Sequence, residues 1–332
     1  MNSSIFGGLL RRPEAGALIG LIGVITFFSI VGGIEFLYPS SVGSWLSRAA
    51  ALGIVAIPVG LLMIAGELDI SVGATITSGA LITALVSGYY EMPIVLGILA
   101  SLGFGAVVGL LNGFLVVRTG VPSFIVTLGT LFAVSGLLLG ATVVLTGTTS
   151  IALTAPEIIR NTFGAYFGGF QVLVLWWIGI TAAFVFFVHL SPYGNWIFAM
   201  GGDKVSARNA GIPTDRMTIL LFVLSSVCAS FVGMSQAILF QSVQATPQLT
   251  LIFNTIIAVV VGGVLLTGGF GSVIGIFFGT ITFAVVTQGI YYTSFDQTWS
   301  NMVIGILLLG AVLMNNTFRK MALSYAPKKG GK

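Results

Sequence analysis

Apolar residues run along this chain in long stretches that contain no charged side chain. A transmembrane helix needs about 20 such residues, so most of these stretches predict one helix each. The longest stretch has room for three helices, separated by turn-forming segments at 241–248 and 267–272. The pattern therefore predicts ten transmembrane helices. The charge-free stretches are residues 15–34, 49–66, 70–90, 92–117, 119–156, 161–202, 217–295 and 297–318.

The basic residues predict how these helices are oriented. With a cytoplasmic N-terminus, eleven of the 13 Lys and Arg residues fall on the inner side, and Arg48 and Arg160 fall outside. Such a bias is typical of inner-membrane proteins, whose cytoplasmic loops are enriched in Lys and Arg. Ten helices then place both termini in the cytoplasm. The predicted outer helix ends also collect aromatic residues of the kind found at membrane interfaces: Tyr38, Trp45, Tyr89, Tyr90, Tyr291, Tyr292 and Trp299.

Composition agrees with this class of protein. The chain is 56% hydrophobic and 7% charged, whereas soluble domains carry about 25% charged residues. We therefore expect one all-α polytopic domain over residues 1–332, with the first stretch retained as a helix and not cleaved as a signal. With one cysteine, Cys228, the chain can have no disulfide framework, and its one histidine, His189, argues against a metal cluster and a His-based catalytic triad. The scattered acids do not supply the cluster that a membrane enzyme needs.

Two predicted helices carry three glycines at four-residue spacing, which favours close packing of helix backbones. The helices are the fourth and the ninth, five positions apart, so they run in opposite directions. This offset indicates an inverted repeat of five plus five helices, a common plan among transporters. The glycines are Gly105, Gly109 and Gly113 in one helix and Gly271, Gly275 and Gly279 in the other.

The longest basic inner loop, residues 191–216, contains a predicted short helix. Asp203 suits the N-cap, Gly211 suits the position after the last turn, and Pro213 blocks continuation. A helix of about two turns is not stable alone in water. It must rest on the membrane surface or insert into a partner protein, and the residues leave both possibilities open. No phosphate-binding G-x-x-x-x-G-K-[ST] motif occurs, so we expect no ATP site in this chain.

The stretch "GELDISVG" (66–73) places Glu67 and Asp69 between two apolar runs, with no Lys or Arg from 49 to 117. Two interpretations are open. The stretch is a tight interfacial turn in which Asp69 or Ser71 caps the third helix. Alternatively, it folds back into the bundle as a helix break that lines a path.

Uncharged polar residues inside predicted spans are further candidates for a path. They either contact a polar solute or form hydrogen bonds between helices. The candidates are Asn112, Thr127, Asn254 and Gln288.

Four motifs carry a resemblance to a known family. They are "AGELDISVGA" (65–74), "GVPSFIVTLGTLFAVSGL" (120–137), "AMGGDKVSARNAGI" (199–212) and "IIAVVVGGVLLTGGFGSVIGIFFG" (256–279). In this order they resemble the permease subunits of sugar-type ATP-binding cassette importers for ribose, xylose and galactose. Permeases for branched-chain amino acids and nucleosides share the architecture but usually carry Asn in place of the Asp of the first motif. Glu67-Leu68 and Phe270 depart from the pattern that is frequent in relatives.

The resemblance implies a multi-pass inner-membrane permease that imports a monosaccharide or related polyol. It implies three partners: a cytoplasmic ATPase that binds the ATP, a periplasmic sugar-binding protein, and a second permease subunit, often an identical chain. No cofactor in this chain and no nucleic-acid partner are expected. The 203–211 helix would couple to the ATPase, and Glu67, Asp69 and Ser71 would join the path or its gate. The expected coupling residues are Gly202, Asp203, Ala207, Arg208 and Gly211.

Two alternatives remain. One is a permease of the amino acid or nucleoside branch. The other is a stand-alone secondary transporter, which would need ionisable groups deep in the bundle. The acids of this chain fall at predicted helix ends instead.

Overall fold

A computed structural model describes residues 13–294 and 296–299, together with scattered positions between 301 and 313. The described chain is mostly helical, with two small pairs of strands. The helices are α1 Pro13–Val31, α2 Pro39–Ile64, α3 Val72–Ala84, α4 Ile94–Thr119, α5 Ser123–Thr146, α6 Glu157–Phe163, α7 Leu173–His189, α8 Pro192–Gly202, α9 Lys204–Asn209, α10 Thr214–Phe240, α11 Leu249–Val261 and α12 Val273–Gly289. Short 3-10 turns cover Ile34–Leu37, Ile290–Tyr292 and Gln297–Trp299, and a π turn, Leu85–Tyr89, extends α3.

The predicted all-α polytopic class is confirmed. Within the described residues, seven helical segments, built on α1, α2, α3, α4, α5, α10 and α12, are long and apolar enough to cross a membrane. The α7–α8 pair, bent by 76°, adds an eighth if it forms one span. Helix α11 has 13 residues, fewer than the roughly 20 that a span requires. The structure therefore shows fewer full spans than the ten predicted, and most of the predicted tenth, 297–318, lies outside the described residues.

Helix α2 is the centre of the bundle. It packs against α7, α10, α11 and α12, and 89% of its most apolar 18-residue segment is buried. Helices α4 and α5 are more exposed and end at Gly120 and Gly147, whose positive φ angles of 69° and 70° stop a helix without strain. The apolar core therefore surrounds α2, and any polar group that reaches it must find a partner inside the protein.

The glycines of α4 form a close contact with α10, as predicted. A Cβ at Gly109 would lie 2.5 Å from the Phe222 carbonyl oxygen. Helix α12 makes the matching contact with α11, where a Cβ at Gly279 would lie 2.2 Å from the Ala258 oxygen. The prediction for Gly271 is wrong, because this residue precedes the N-cap of α12 with a φ of 156°.

The described residues include local structure that the sequence pattern did not predict. Strand β1, Ser150–Ala152, pairs antiparallel with β4, Ser242–Gln244, and β2, Tyr166–Phe167, pairs with β3, Phe170–Gln171. The first part of the predicted loop 191–216 is helix α8. The turn-forming residues of "SPYGN" (191–195) lie at the sharp bend where α8 begins and do not start an irregular loop.

Candidate functional site

The residues between α2 and α3, 65–71, form an irregular segment that we call the acid segment. Gly66 adopts a φ of 87°, and the Glu67 N–H donates to the Leu62 carbonyl at 2.9 Å. The chain then enters the bundle, so that Asp69 is only 1% exposed. Irregular backbone of this kind is tolerated where it is enclosed by protein.

The Asp69 carboxylate accepts three hydrogen bonds inside the bundle. Its Oδ1 accepts from the Ser71 N–H at 3.0 Å and from the Ser71 hydroxyl at 2.6 Å. Its Oδ2 accepts from the Ser225 hydroxyl of α10 at 2.8 Å. The Asn112 amide of α4 donates to the Ser71 oxygen at 2.9 Å. Two hydroxyls and a backbone N–H therefore satisfy this buried acid, which forms no ion pair within the described residues, as buried polar groups require.

Helix α5 holds the acid segment from the other side. The Leu68 N–H donates to the Ser123 hydroxyl at 3.0 Å, and the Ile70 N–H donates to the Thr127 hydroxyl at 3.3 Å. The Thr130 hydroxyl donates to the side-chain oxygen Oδ1 of Asn112 at 2.6 Å and so joins α5 to the Asn112–Ser71 hydrogen bond. Thr127 was predicted as a candidate, whereas Ser123 and Thr130 were not. Their spacing of four and three residues from Thr127 places all three on one helix face, which is the signal that could have found them.

The helix-capping interpretation of this segment is confirmed for the position of the cap but not for a side-chain capping hydrogen bond. The N-cap residue of α3 is Ser71, and its side chain makes no capping hydrogen bond. Asp69 accepts from the N–H of the cap residue itself and not from the first turn of α3. Both carboxylate oxygens are instead directed to partners within the acid segment and on α10.

Glu67 forms an ion pair with Lys204, the first residue of α9. The Glu67 side chain is 11% exposed and that of Lys204 is 35% exposed. The two residues are 137 positions apart in sequence, so the sequence near Glu67 does not reveal its cation partner. The pair brings two candidate regions, the acid segment and the loop with the short helix, into direct contact.

The predicted N-cap and C-terminal glycine of the short helix are confirmed. The Asp203 side chain accepts from the Ser206 N–H, and this hydrogen bond holds the pKa of the exposed carboxyl below its ordinary value. At the other end, the Gly211 N–H donates to the Arg208 carbonyl at 3.0 Å with a φ of 86°. Ala207 is buried against the protein, while Val205 is 69% exposed.

A cavity of about 490 Å³ lies between α2, α10, α11, α12 and the strand pair β2–β3. Its volume falls within the range of about 300–1,000 Å³ that is usual for small-molecule sites. Arg48 is the one charged side chain among the described lining residues, and none of them is acidic. The amide side chains that line it are Gln171, Gln236, Gln248, Asn254 and Gln288.

The predicted path residues therefore fall into two groups. Asn254 and Gln288 line the cavity, whereas Asn112 and Thr127 belong to the network around the acid segment. Sequence reasoning missed Gln236, an uncharged polar residue inside a predicted span, which meets the criterion used for the others. Within the described residues no group of three His, Cys, Asp or Glu side chains could hold a metal ion.

Comparison with known proteins gives a consistent result. Residues 41–312 match the family described as branched-chain amino acid transport system / permease component. The fructose import permease protein FrcC of Rhizobium meliloti is 29% identical over 322 residues, covering 95% of this chain and 88% of that protein. The probable ABC transporter permease protein YphD of Escherichia coli (strain K12) is 32% identical, covering 90% and 89%. The galactose/methyl galactoside import permease protein MglC of the same strain is 29% identical, covering 97% of both chains.

Proposed function

The chain belongs to the family of branched-chain amino acid transport system permease components. Within this family, we propose that it imports a monosaccharide or related polyol. It is a multi-pass protein of the inner membrane. In the proposal it is the permease subunit of an ATP-binding cassette importer. A cytoplasmic ATPase drives transport, a periplasmic binding protein delivers the sugar, and a second copy of the chain completes the membrane unit.

The observation that carries the sugar assignment is the chemistry of the cavity. Amide groups hydrogen-bond to sugar hydroxyls in either direction, because each offers two donors and an acceptor. An amino acid zwitterion needs both a cation and an anion opposite its charges, and no acid lines the described cavity. The names of the relatives, which include fructose and galactose permeases, favour the same branch.

Coupling to an ATPase is supported by the shape of α9. A helix of six residues is held by its own cap and by Ala207, while its other face is exposed. Such a helix presents a small, fixed surface to a partner protein. It lies on the side of the membrane that the basic residues predict to be cytoplasmic.

The finer topology is part of the proposal: ten spans, both termini inside and an inverted repeat. Helix α11, with 13 residues, occupies the eighth predicted span, and in the corresponding third span α3 changes from α to π geometry after Ala84. Short or interrupted helices at corresponding positions of two halves are typical of inverted repeats. The β1–β4 pair also joins two segments that the ten-helix count places on the outer side.

A secondary transporter is the second candidate, because the structure places Asp69 inside the bundle and not at a surface helix end. A buried acid is what proton coupling requires. Gentle purification from the native membrane separates the two functions. We expect a P-loop ATPase to accompany the chain, and its activity to rise with a periplasmic protein and one sugar. A chain that purifies alone and transports solute in liposomes would contradict the proposal.

The cavity is tested separately by Asn254→Asp and Asn254→Gln in the assembled complex. The aspartate places a charge beside the solute, so we expect uptake of a neutral sugar to fall while assembly is unchanged. The glutamine keeps the amide and should retain more activity. Equal uptake by wild type and both variants would place the sugar elsewhere.

A further inference from the structure

The ion pair between Glu67 and Lys204 connects two parts of the molecule that the proposed function assigns to different tasks. Lys204 opens α9, the helix proposed to dock the ATPase. Glu67 lies in the acid segment, two residues before Asp69. The Glu67 side chain is only 11% exposed, so removing Lys204 would leave its carboxylate poorly solvated.

The acid segment is in turn bonded to three helices. Asp69 accepts from Ser225 of α10, and Ser71 accepts from Asn112 of α4. The backbone at Leu68 is held by α5. A displacement of Glu67 would therefore be transmitted to α4, α5 and α10 at once.

Backbone contacts beside the ion pair make this region stiff. The Gly269 N–H donates to the Ile64 carbonyl at 2.8 Å, where α2 ends. Gly201 of α8 packs so closely that a Cβ there would lie 1.7 Å from the same carbonyl oxygen. The base of α9 therefore rests on the end of α2 without intervening side chains.

The second ion pair of α9 differs in kind. Arg208 pairs with Asp215 only seven positions away, and the two side chains are 59% and 49% exposed. Exposed ion pairs of this type contribute little to the free energy of folding. Of the two pairs, only Glu67–Lys204 joins α9 to a distant and enclosed part of the bundle.

We propose that Glu67 and Lys204 are positioning residues that transmit the displacement of α9 by the ATPase to the network around Asp69. This inference rests on the proposed function, because α9 must first dock the ATPase. It assigns the two acids of "GELDISVG" different tasks. Glu67 connects the segment to α9, and Asp69 connects it to the interior helices.

The test uses the complete complex in proteoliposomes, with fructose, galactose and ribose as probes. The variants are Glu67→Gln, Lys204→Gln and the charge exchange Glu67→Lys with Lys204→Glu. The matched control is Glu157→Gln on α6, an exposed acid on the predicted outer side. ATP hydrolysis and sugar uptake are measured together, so that their ratio reports coupling independently of the amount of folded protein.

We expect each single variant to keep its ATPase but to lose at least about fivefold in sugar transported per ATP, the low end of coupling between sites. The charge exchange should restore most of this ratio, and the control should equal wild type. If Glu67→Gln fails to accumulate in the membrane, Lys204→Gln makes the same test from the more exposed partner.

Two results would overturn the inference: single variants that couple as well as wild type, or an exchange variant that couples as poorly as they do. Absence of ATP-dependent uptake by the wild-type complex is a different result. It would overturn the proposed function itself.

Discussion

Gly201→Ala is the substitution whose effect follows most directly from the structure. A Cβ at this position would lie 1.7 Å from the Ile64 carbonyl oxygen and 2.4 Å from the Gly269 nitrogen. Both are backbone atoms, and they are joined by a hydrogen bond of 2.8 Å. No side-chain rotation can relieve such a contact, so α8, the end of α2 or the loop around Gly269 must move.

The cost can be worked from two contributions. Inserting a methyl group into a packed site costs about 1–3 kcal/mol. Separating the Gly269 N–H from the Ile64 carbonyl leaves the carbonyl of a buried residue unpaired, which costs about 1–3 kcal/mol more. We expect the free energy of unfolding to fall by about 2–6 kcal/mol in total.

Gly202 supplies the matched control. It is the next residue in the same helix, and a Cβ there would meet no atom within 4 Å. Alanine is favoured over glycine in helices by up to about 1 kcal/mol, so Gly202→Ala should be neutral or slightly stabilising.

The assay is unfolding in mixed micelles by titration with sodium dodecyl sulfate, followed by circular dichroism. The same preparations can be tested for retention of the ATPase, which Gly201→Ala should weaken because Gly201 supports the base of α9. Equal unfolding midpoints for the two alanine variants would refute the close backbone contact between α8 and α2.

Three further predictions concern other parts of the bundle. Asp69→Asn keeps the side-chain shape but turns one acceptor oxygen into a donor, so uptake should fall more than assembly; normal uptake would limit Asp69 to a structural role. Gly109→Ala should lower the free energy of unfolding by about 1–3 kcal/mol through the α4–α10 contact, whereas Gly103→Ala, which meets no atom within 4 Å, should not. Replacing Asp203 and Gly211 together by alanine removes both ends of α9, so less ATPase should co-purify while the chain stays in the membrane; unchanged recovery would argue against docking at α9.

The helices themselves were largely predictable because the membrane imposes a simple pattern. Charge-free stretches separated by turn formers located α2, α4, α5 and α10. The pattern failed where an apolar stretch is not one straight helix. Helix α8 was missed since a bend at "SPYGN" needs no charged residue, and α11 proved shorter than its stretch of sequence.

The partners of the two acids were beyond the same reasoning. The sequence around "GELDISVG" contains no cation, which suggested a turn at the interface as readily as a buried segment. The structure supplies Lys204 from 137 residues away for Glu67, and among the described residues Asp69 is bonded to two hydroxyls and a backbone N–H. Both solutions depend on tertiary packing, and neither leaves a periodic signal near the acids.

The difference between these two solutions bears on mechanism. The Glu67–Lys204 ion pair joins a side chain that is 11% exposed to one that is 35% exposed, so Lys204 can follow α9 while Glu67 stays enclosed. A buried carboxylate held by hydroxyls cannot lose its donors without a large cost, so it must move together with the helices that carry them. Glu67 therefore suits a contact that carries the movement of α9 into the acid segment. Asp69 suits one that keeps the acid segment joined to α10 while the segment moves.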